Sequence, residues 1–211
     1  MAHTAHHLHE QFEPRPDAQA LASNAKGEVD YEPRPDQSIK ISPEHQQIMQ
    51  RIIKLYSGSA SEEDMQGTYA FEANSNAPRV DVRLITIGIV YDKDAVYDDP
   101  FSYCDTRYKI AGQWYGLPMV FSSLRTLKTE VVKDTPSEIV WKMQHEYTPK
   151  VLGTPKAVNS LISLGLDDRG KVKYHKDMWN EKDYSHEGLG KFFKTLQADV
   201  TPAMSRPPKT L

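Results

Sequence analysis

The sequence predicts an α+β domain in which helices pack on one face of a curved antiparallel sheet. Two observations carry this. Helical patterns come first, and a run of strands that alternate with period two comes last. The last two strands, Ala157–Leu166 and Lys171–Trp179, are joined by Asp167-Asp168-Arg169-Gly170, a tight hairpin turn with glycine at the left-handed position.

Taken in order, residues 1–41 read as a disordered or loosely docked arm. This stretch has few large aliphatics, four of the eight histidines and a short repeat, FEPRPD at Phe12–Asp17 and YEPRPD at Tyr31–Asp36. Alternate prolines hold such pieces extended, which suits either a solvated tail or a peptide ligand. The folded domain is expected over residues 42–200. Ser42, Pro43 and Glu44 form a helix start, Ile48, Met49, Ile52 and Leu55 form its apolar stripe, and Gly58 stops it. A second short helix is expected at Ser61–Gln66. Tyr91–Pro100 reads as a turn and a short strand, and Lys109–Leu124 as a helix flawed by Gly112, Gly116 and Pro118. Glu187–Ala198 reads as a closing helix, followed by a proline-rich tail over residues 201–211.

Composition narrows the function. Charged residues are 26% and apolar ones 38%, which suits a soluble chain with one core and extra segments. A net charge of −3 gives no general attraction to nucleic acid or to an anionic membrane. No run approaches the ~20 apolar residues that span a bilayer, and the N-terminus lacks an apolar stretch of signal-peptide length. Cys104 is the single cysteine, which excludes an intrachain disulfide and fits a reducing, cytoplasmic compartment.

The most informative stretch is KVKYHKDMW, Lys171–Trp179. Alternation puts His175, Asp177 and Trp179 on one face of the strand. An imidazole, a carboxylate and an indole suit the wall of a polar pocket better than a plain core. Alternation also groups Ile139, Trp141, Met143, His145 and Tyr147, with Lys142, Gln144 and Glu146 on the opposite face.

With that order in place, the chain resembles the nuclear transport factor two-like superfamily, especially the SnoaL-like polyketide cyclases and the ketosteroid isomerases. A closer resemblance is to uncharacterised fungal proteins with such a domain. The likeness covers roughly Ser42 to Gln197. It rests on the opening helix PEHQQIMQRIIKLYSG, on DAVYDDP at Asp94–Pro100 and on the hairpin LDDRGKVKYHKDMW. It implies a cone-shaped fold with an open pocket, into which the His175 and Trp141 faces look. It also implies that Asp99 matches a general base, that no cofactor or metal is used, and that the chain forms a homodimer through its sheet. Asp99, His145, His175 and Asp177 are then the candidate catalytic groups, and Tyr97, Trp141, Met143, Tyr147 and Trp179 the candidate walls for a small cyclic or aromatic ligand.

Proton removal by Asp99 and protonation by a histidine would suit a cyclase, isomerase or dehydratase. Duller roles stand beside these: Asp99 as a turn cap, His145 as a core histidine, His175 and Asp177 as a buried structural pair. In that case the domain is a binding or dimerisation module with a vestigial pocket. Steroid isomerisation itself is disfavoured, because the two oxyanion donors of that family fall on Ile52 and Ile162 here. Gly67–Val90 exceeds the family's spacing. It reads either as an insertion with an added edge strand at Val80–Val90 or as a retained intron.

Overall fold

The computed structural model describes residues 16–23, 27–58 and 82–180. The expected helices at Ser61–Gln66 and Glu187–Ala198, and the tail, lie outside these residues. The described elements are α1 (Pro16–Leu21), a 3-10 turn (Pro35–Gln37), α2 (Pro43–Tyr56), α3 (Val82–Val90), β1 (Tyr91–Asp98), β2 (Tyr103–Cys104), α4 (Arg107–Val120), β3 (Phe121–Thr135), β4 (Glu138–Pro149), β5 (Lys156–Leu166) and β6 (Val172–Trp179). The strands form one curved sheet in the order β2-β1-β6-β5-β4-β3, so the α+β class holds. Four of its pairings are antiparallel. The fifth, β1 against β6, is parallel, with Tyr97 opposite His175 and Asp98 opposite Lys176.

Helix α2 starts as its sequence dictates. Ser42 Oγ accepts the His45 N–H at 3.2 Å, and Pro43 occupies the first turn. Asp134, near the end of β3, fixes this end to the sheet: it accepts the Ser42 N–H at 2.8 Å and lies 2.5 Å from His45 Nδ1. Met49, Ile52, Leu55 and Tyr56 then face the core. Gly58 ends the helix region at φ +63°, where an added Cβ would meet Leu124 Cδ1 at 2.9 Å and Pro118 Cγ at 3.1 Å. Gly58→Ala should therefore cost roughly 1–2 kcal/mol from backbone strain alone. Urea unfolding checks this through a lower midpoint at unchanged slope; an unchanged midpoint would contradict it.

The edge strand expected at Val80–Val90 is replaced by a helix over Val82–Val90. An apolar run of this length suits either conformation by pattern alone. Ile87 and Val90, three apart, enter the main core together, and the Lys171 ammonium donates to the Gly88 and Ile89 carbonyls at the helix end. The helix expected to run to Leu124 stops at Val120, after Pro118, and Phe121–Leu124 pair with β4 instead. Thr106 caps its start, accepting from the Lys109 N–H at 3.3 Å.

Two faces of the sheet bury different things. The inner face, with α2, α3 and α4, holds the main core of Ile52, Ile87, Ile110, Trp114, Ile139, Trp141, Ile162 and Leu164, among others. On the outer face, Val140, Leu161 and Met178 are covered by Ala18 of α1 and by Ala22 just after it. Part of the stretch read as an arm is thus seated on the sheet. Ile39 N–H also donates to the Val131 carbonyl of edge strand β3, and Val131 N–H to Ser38 Oγ, both at 3.0 Å.

Candidate functional site

Strand β6 turns His175, Asp177 and Trp179 inward, and β4 turns Ile139, Trp141, Met143, His145 and Tyr147 inward. All eight are buried. The grouping read from alternation is the inner face. Three residues that sequence reasoning missed complete the cluster: Tyr56 at the end of α2, Tyr91 at the start of β1 and Trp114 in α4.

The Tyr56 hydroxyl donates to Asp177 Oδ2 at 2.7 Å and lies 3.3 Å from His175 Nε2. The Tyr91 hydroxyl lies 2.7 Å from His175 Nδ1. A neutral imidazole has one donor nitrogen and one acceptor. Because Tyr56 gives its proton to Asp177, its oxygen is left to accept from Nε2–H, and Nδ1 is left to accept from Tyr91. The result is one directed chain, Tyr91 to His175 to Tyr56 to Asp177. Protonating Asp177 lets every member reverse its role, with the imidazole moving to its other tautomer.

Rings pack around this chain. Tyr97 meets His175 edge-on at 4.8 Å, Trp114 stacks over His175 at 6.2 Å, and Tyr56 meets Trp114 at 4.8 Å. The rings continue from Tyr56 to His145 at 5.8 Å, to Tyr147 at 4.7 Å, and to Trp179 at 5.4 Å. Burial sets the ionisation. It pushes the Asp177 carboxyl up to about 7, with the Asp99 charge adding to the rise, against the pull of the Tyr56 hydrogen bond toward the charged form. Burial alone lowers His175 to about 3 and His145 to about 4. The same cause raises the phenols of Tyr56, Tyr91, Tyr97 and Tyr147 well above their ordinary value. Near neutral pH the histidines are uncharged and Asp177 is poised between its two forms.

Asp99 is held by its own turn and by Tyr97. Its Oδ1 accepts the N–H groups of Phe101 and Ser102 at 2.7 and 2.5 Å, and its Oδ2 accepts the Tyr97 hydroxyl at 2.8 Å. The turn-cap role is therefore present, and Tyr97 links Asp99 to the His175 ring. Burial still raises this carboxyl to about 6. His145 Nδ1 lies 3.0 Å from Thr126 Oγ1, while its Nε2 is buried with no hydrogen-bond partner among the described residues, as is Trp141 Nε1. Met143 takes a 3.9 Å contact from Thr126 Oγ1. Cys104 is buried on β2 with its thiol pushed up to about 12, which removes it as a nucleophile.

Ile52 and Ile162 are core residues, as expected of their chemistry. Yet Tyr56 lies one helical turn beyond Ile52, and Asp177 is the register partner of Ile162. A phenol and a carboxyl do meet inside the domain, beside the positions where they were sought. The position of Tyr56, four residues after Ile52 on the same helix face, was the available signal.

Together these define an α+β domain with a curved sheet and a ring-lined, polar interior. No protein-family profile matches the sequence, and no curated protein sequence matches it. Solved structures resemble its shape. A SnoaL-like family protein from Agrobacterium tumefaciens has a TM-score of 0.45 at 12% identity, over 66% of this chain and 99% of its own. A protein with a ketosteroid isomerase-like fold from Catenulispora acidiphila, bound to trimethylamine, has 0.48 at 12% over 64% and 87%. An NTF2-like protein of unknown function from an Exiguobacterium species has 0.46 at 9% over 64% and 98%. These are likenesses of shape at low identity, and the chemistry rests on this chain's own residues. Among the described residues no helix is long and apolar enough to cross a membrane, and no group of three His, Cys, Asp or Glu converges as a metal site.

Proposed function

We propose that the interior binds a small, flat, cyclic or aromatic molecule and moves protons on it without a cofactor, as an isomerase, cyclase or dehydratase does. The observation that supports this most is the directed Tyr91–His175–Tyr56–Asp177 chain. A buried carboxyl poised near neutral pH can give or take a proton with little driving force lost. Tyr56 and neutral His175 would carry the charge change away from it. Tyr97, Trp114, Trp141, Tyr147 and Trp179 would form flat walls, Met143 would fill between them, and His145 would offer Nε2 to a polar substituent. Asp99 would act only after releasing the Phe101–Ser102 turn. Its present bonds favour a second reading, a binding module that does no chemistry. A cytoplasmic setting belongs to the same proposal, supported by the single, buried Cys104.

A bicyclic aromatic ketone, α-tetralone, separates the two readings. Binding is followed by quenching of tryptophan fluorescence, and chemistry by deuterium exchange next to the carbonyl. The expected result is binding with exchange, slowed about 100-fold or more in Asp177→Asn. Binding without exchange would leave the module reading, and native mass spectrometry showing no copurified ligand together with no binding would remove both. A homodimer through the outer sheet face also belongs to this proposal. Because α1 covers part of that face, such a dimer requires α1 to move or to join the interface.

A further inference from the structure

A second site lies on the outer face of the sheet, separate from the interior chemistry. It holds one of the two near-identical hexapeptides of this chain, YEPRPD at Tyr31–Asp36. Three contacts make the seat. Tyr31 packs on the cluster of Ala18, Ala22, Val140, Leu161 and Met178, with Val132 beside it. Pro33 is buried. The Arg34 backbone N–H donates at 2.6 Å to Oε2 of Glu130, a β3 carboxylate only 5% exposed that also lies 3.4 Å from Lys142 Nζ. Pro33 fixes its own backbone and Arg34 is extended, while Pro35 opens the 3-10 turn, so little chain entropy is lost when the segment docks.

The three groups of the hexapeptide that touch the seat recur in FEPRPD, as Phe12, Pro14 and the Arg15 backbone. The flanks differ: Val29 also packs on the cluster, and Glu10 stands in its place in the first copy. Gln11 stands where Asp30 makes a 2.5 Å ion pair with the half-exposed Arg34, a contact of little worth. Phe12 also lacks the hydroxyl that Gln19 reaches at 3.4 Å.

We propose that this seat is an exchangeable recognition site for an aromatic-Glu-Pro-Arg-Pro-Asp segment, and that the Phe12–Asp17 segment of a second copy of this chain is its other occupant. Within one chain the exchange is blocked. Pro16 opens α1, and Ala18 within it and Ala22 just after it form part of the seat. Seating Phe12–Asp17 there would carry α1 to where Pro35–Gln37 now lies. A second copy supplies the motif without disturbing the host's α1.

The test uses a fluorescein-labelled peptide, HEQFEPRPDA (His9–Ala18), and the full chain. A Tyr31→Ser, Pro33→Ala variant vacates the seat and should bind the peptide at least about tenfold more tightly than wild type. A peptide altered at Phe12 and Pro14 to alanine should bind neither protein. Equal binding of that altered peptide, or no gain in a variant with native circular dichroism, overturns the proposal. Should the vacated variant fail to fold, sedimentation of the full chain decides. Wild type should self-associate at least about tenfold more strongly than a Phe12→Ala, Pro14→Ala variant, and identical sedimentation of the two overturns the proposal.

Discussion

Asp177→Asn is expected to gain stability relative to wild type as pH rises. In the folded chain the Asp177 carboxyl sits at about 7, against 3.8 when exposed in the unfolded chain. A carboxyl raised in this way stays protonated inside while the unfolded chain has already released its proton. Wild-type stability from this group is therefore full below pH 3.8 and is lost as pH rises through about 7. The span corresponds to about 4 kcal/mol as an upper figure. Asparagine resembles the neutral acid and cannot ionise, so the variant escapes that loss. The stability difference between variant and wild type should grow by up to about 4 kcal/mol between acid and neutral pH, read from urea midpoints at each pH. His145 and His175 act in the opposite direction: both are held uncharged, so their contribution is lost as pH falls below 6.5. They are common to both proteins and cancel in the difference. A difference that does not change with pH would place Asp177 in water.

Lys176→Ala should be the most damaging change on the outer face. Lys176 Nζ lies 2.5 Å from Asp98 Oδ2, with Tyr174 donating to the same oxygen at 3.0 Å, and Asp98 is 1% exposed. Removing the ammonium leaves a carboxylate buried with only a phenol for company, a loss of about 3–5 kcal/mol. Replacing both partners, Asp98→Asn with Lys176→Met, should recover most of it, because no charge is then stranded. A double-mutant cycle by chemical unfolding measures this. A loss under about 1 kcal/mol for Lys176→Ala would mean that the pair is solvated.

Local chemistry was legible in the sequence. The hairpin turn forms as read, with Gly170 at φ +71° and Asp167 Oδ1 accepting from the Arg169 and Lys171 N–H groups. The Ser42 cap and the Gly58 stop are equally local, and alternation sorted both inner-face sets on β4 and β6. What escaped was set by distance or by irregularity. Tyr91 and Trp114 reach His175 from separate elements, so no spacing marks them as partners, and Tyr56 is marked only by its place one turn after Ile52. Strand β3 is an edge strand whose register shifts at Thr126/Lys128 and Val131/Lys133, which breaks the period-two signal. Ala18 and Ala22 are too small to advertise a buried face, so the reading of a disordered or loosely docked arm could not say which part docks. The burial of Asp98 depends on Lys176 across a parallel pairing that no local pattern announces.

The central claim is that Tyr56 and His175 hold Asp177 in a buried chain, poised near neutral pH. Carbon-13 NMR of the aspartate carboxyls, titrated from about pH 4 to about pH 9, tests it most directly. One carboxyl should titrate near 7, should vanish in Asp177→Asn, and should move higher still in Tyr56→Phe, because the Tyr56 bond favours the charged form. An Asp177 that titrates near 3.8, or that ignores the loss of the Tyr56 hydroxyl, would contradict the account.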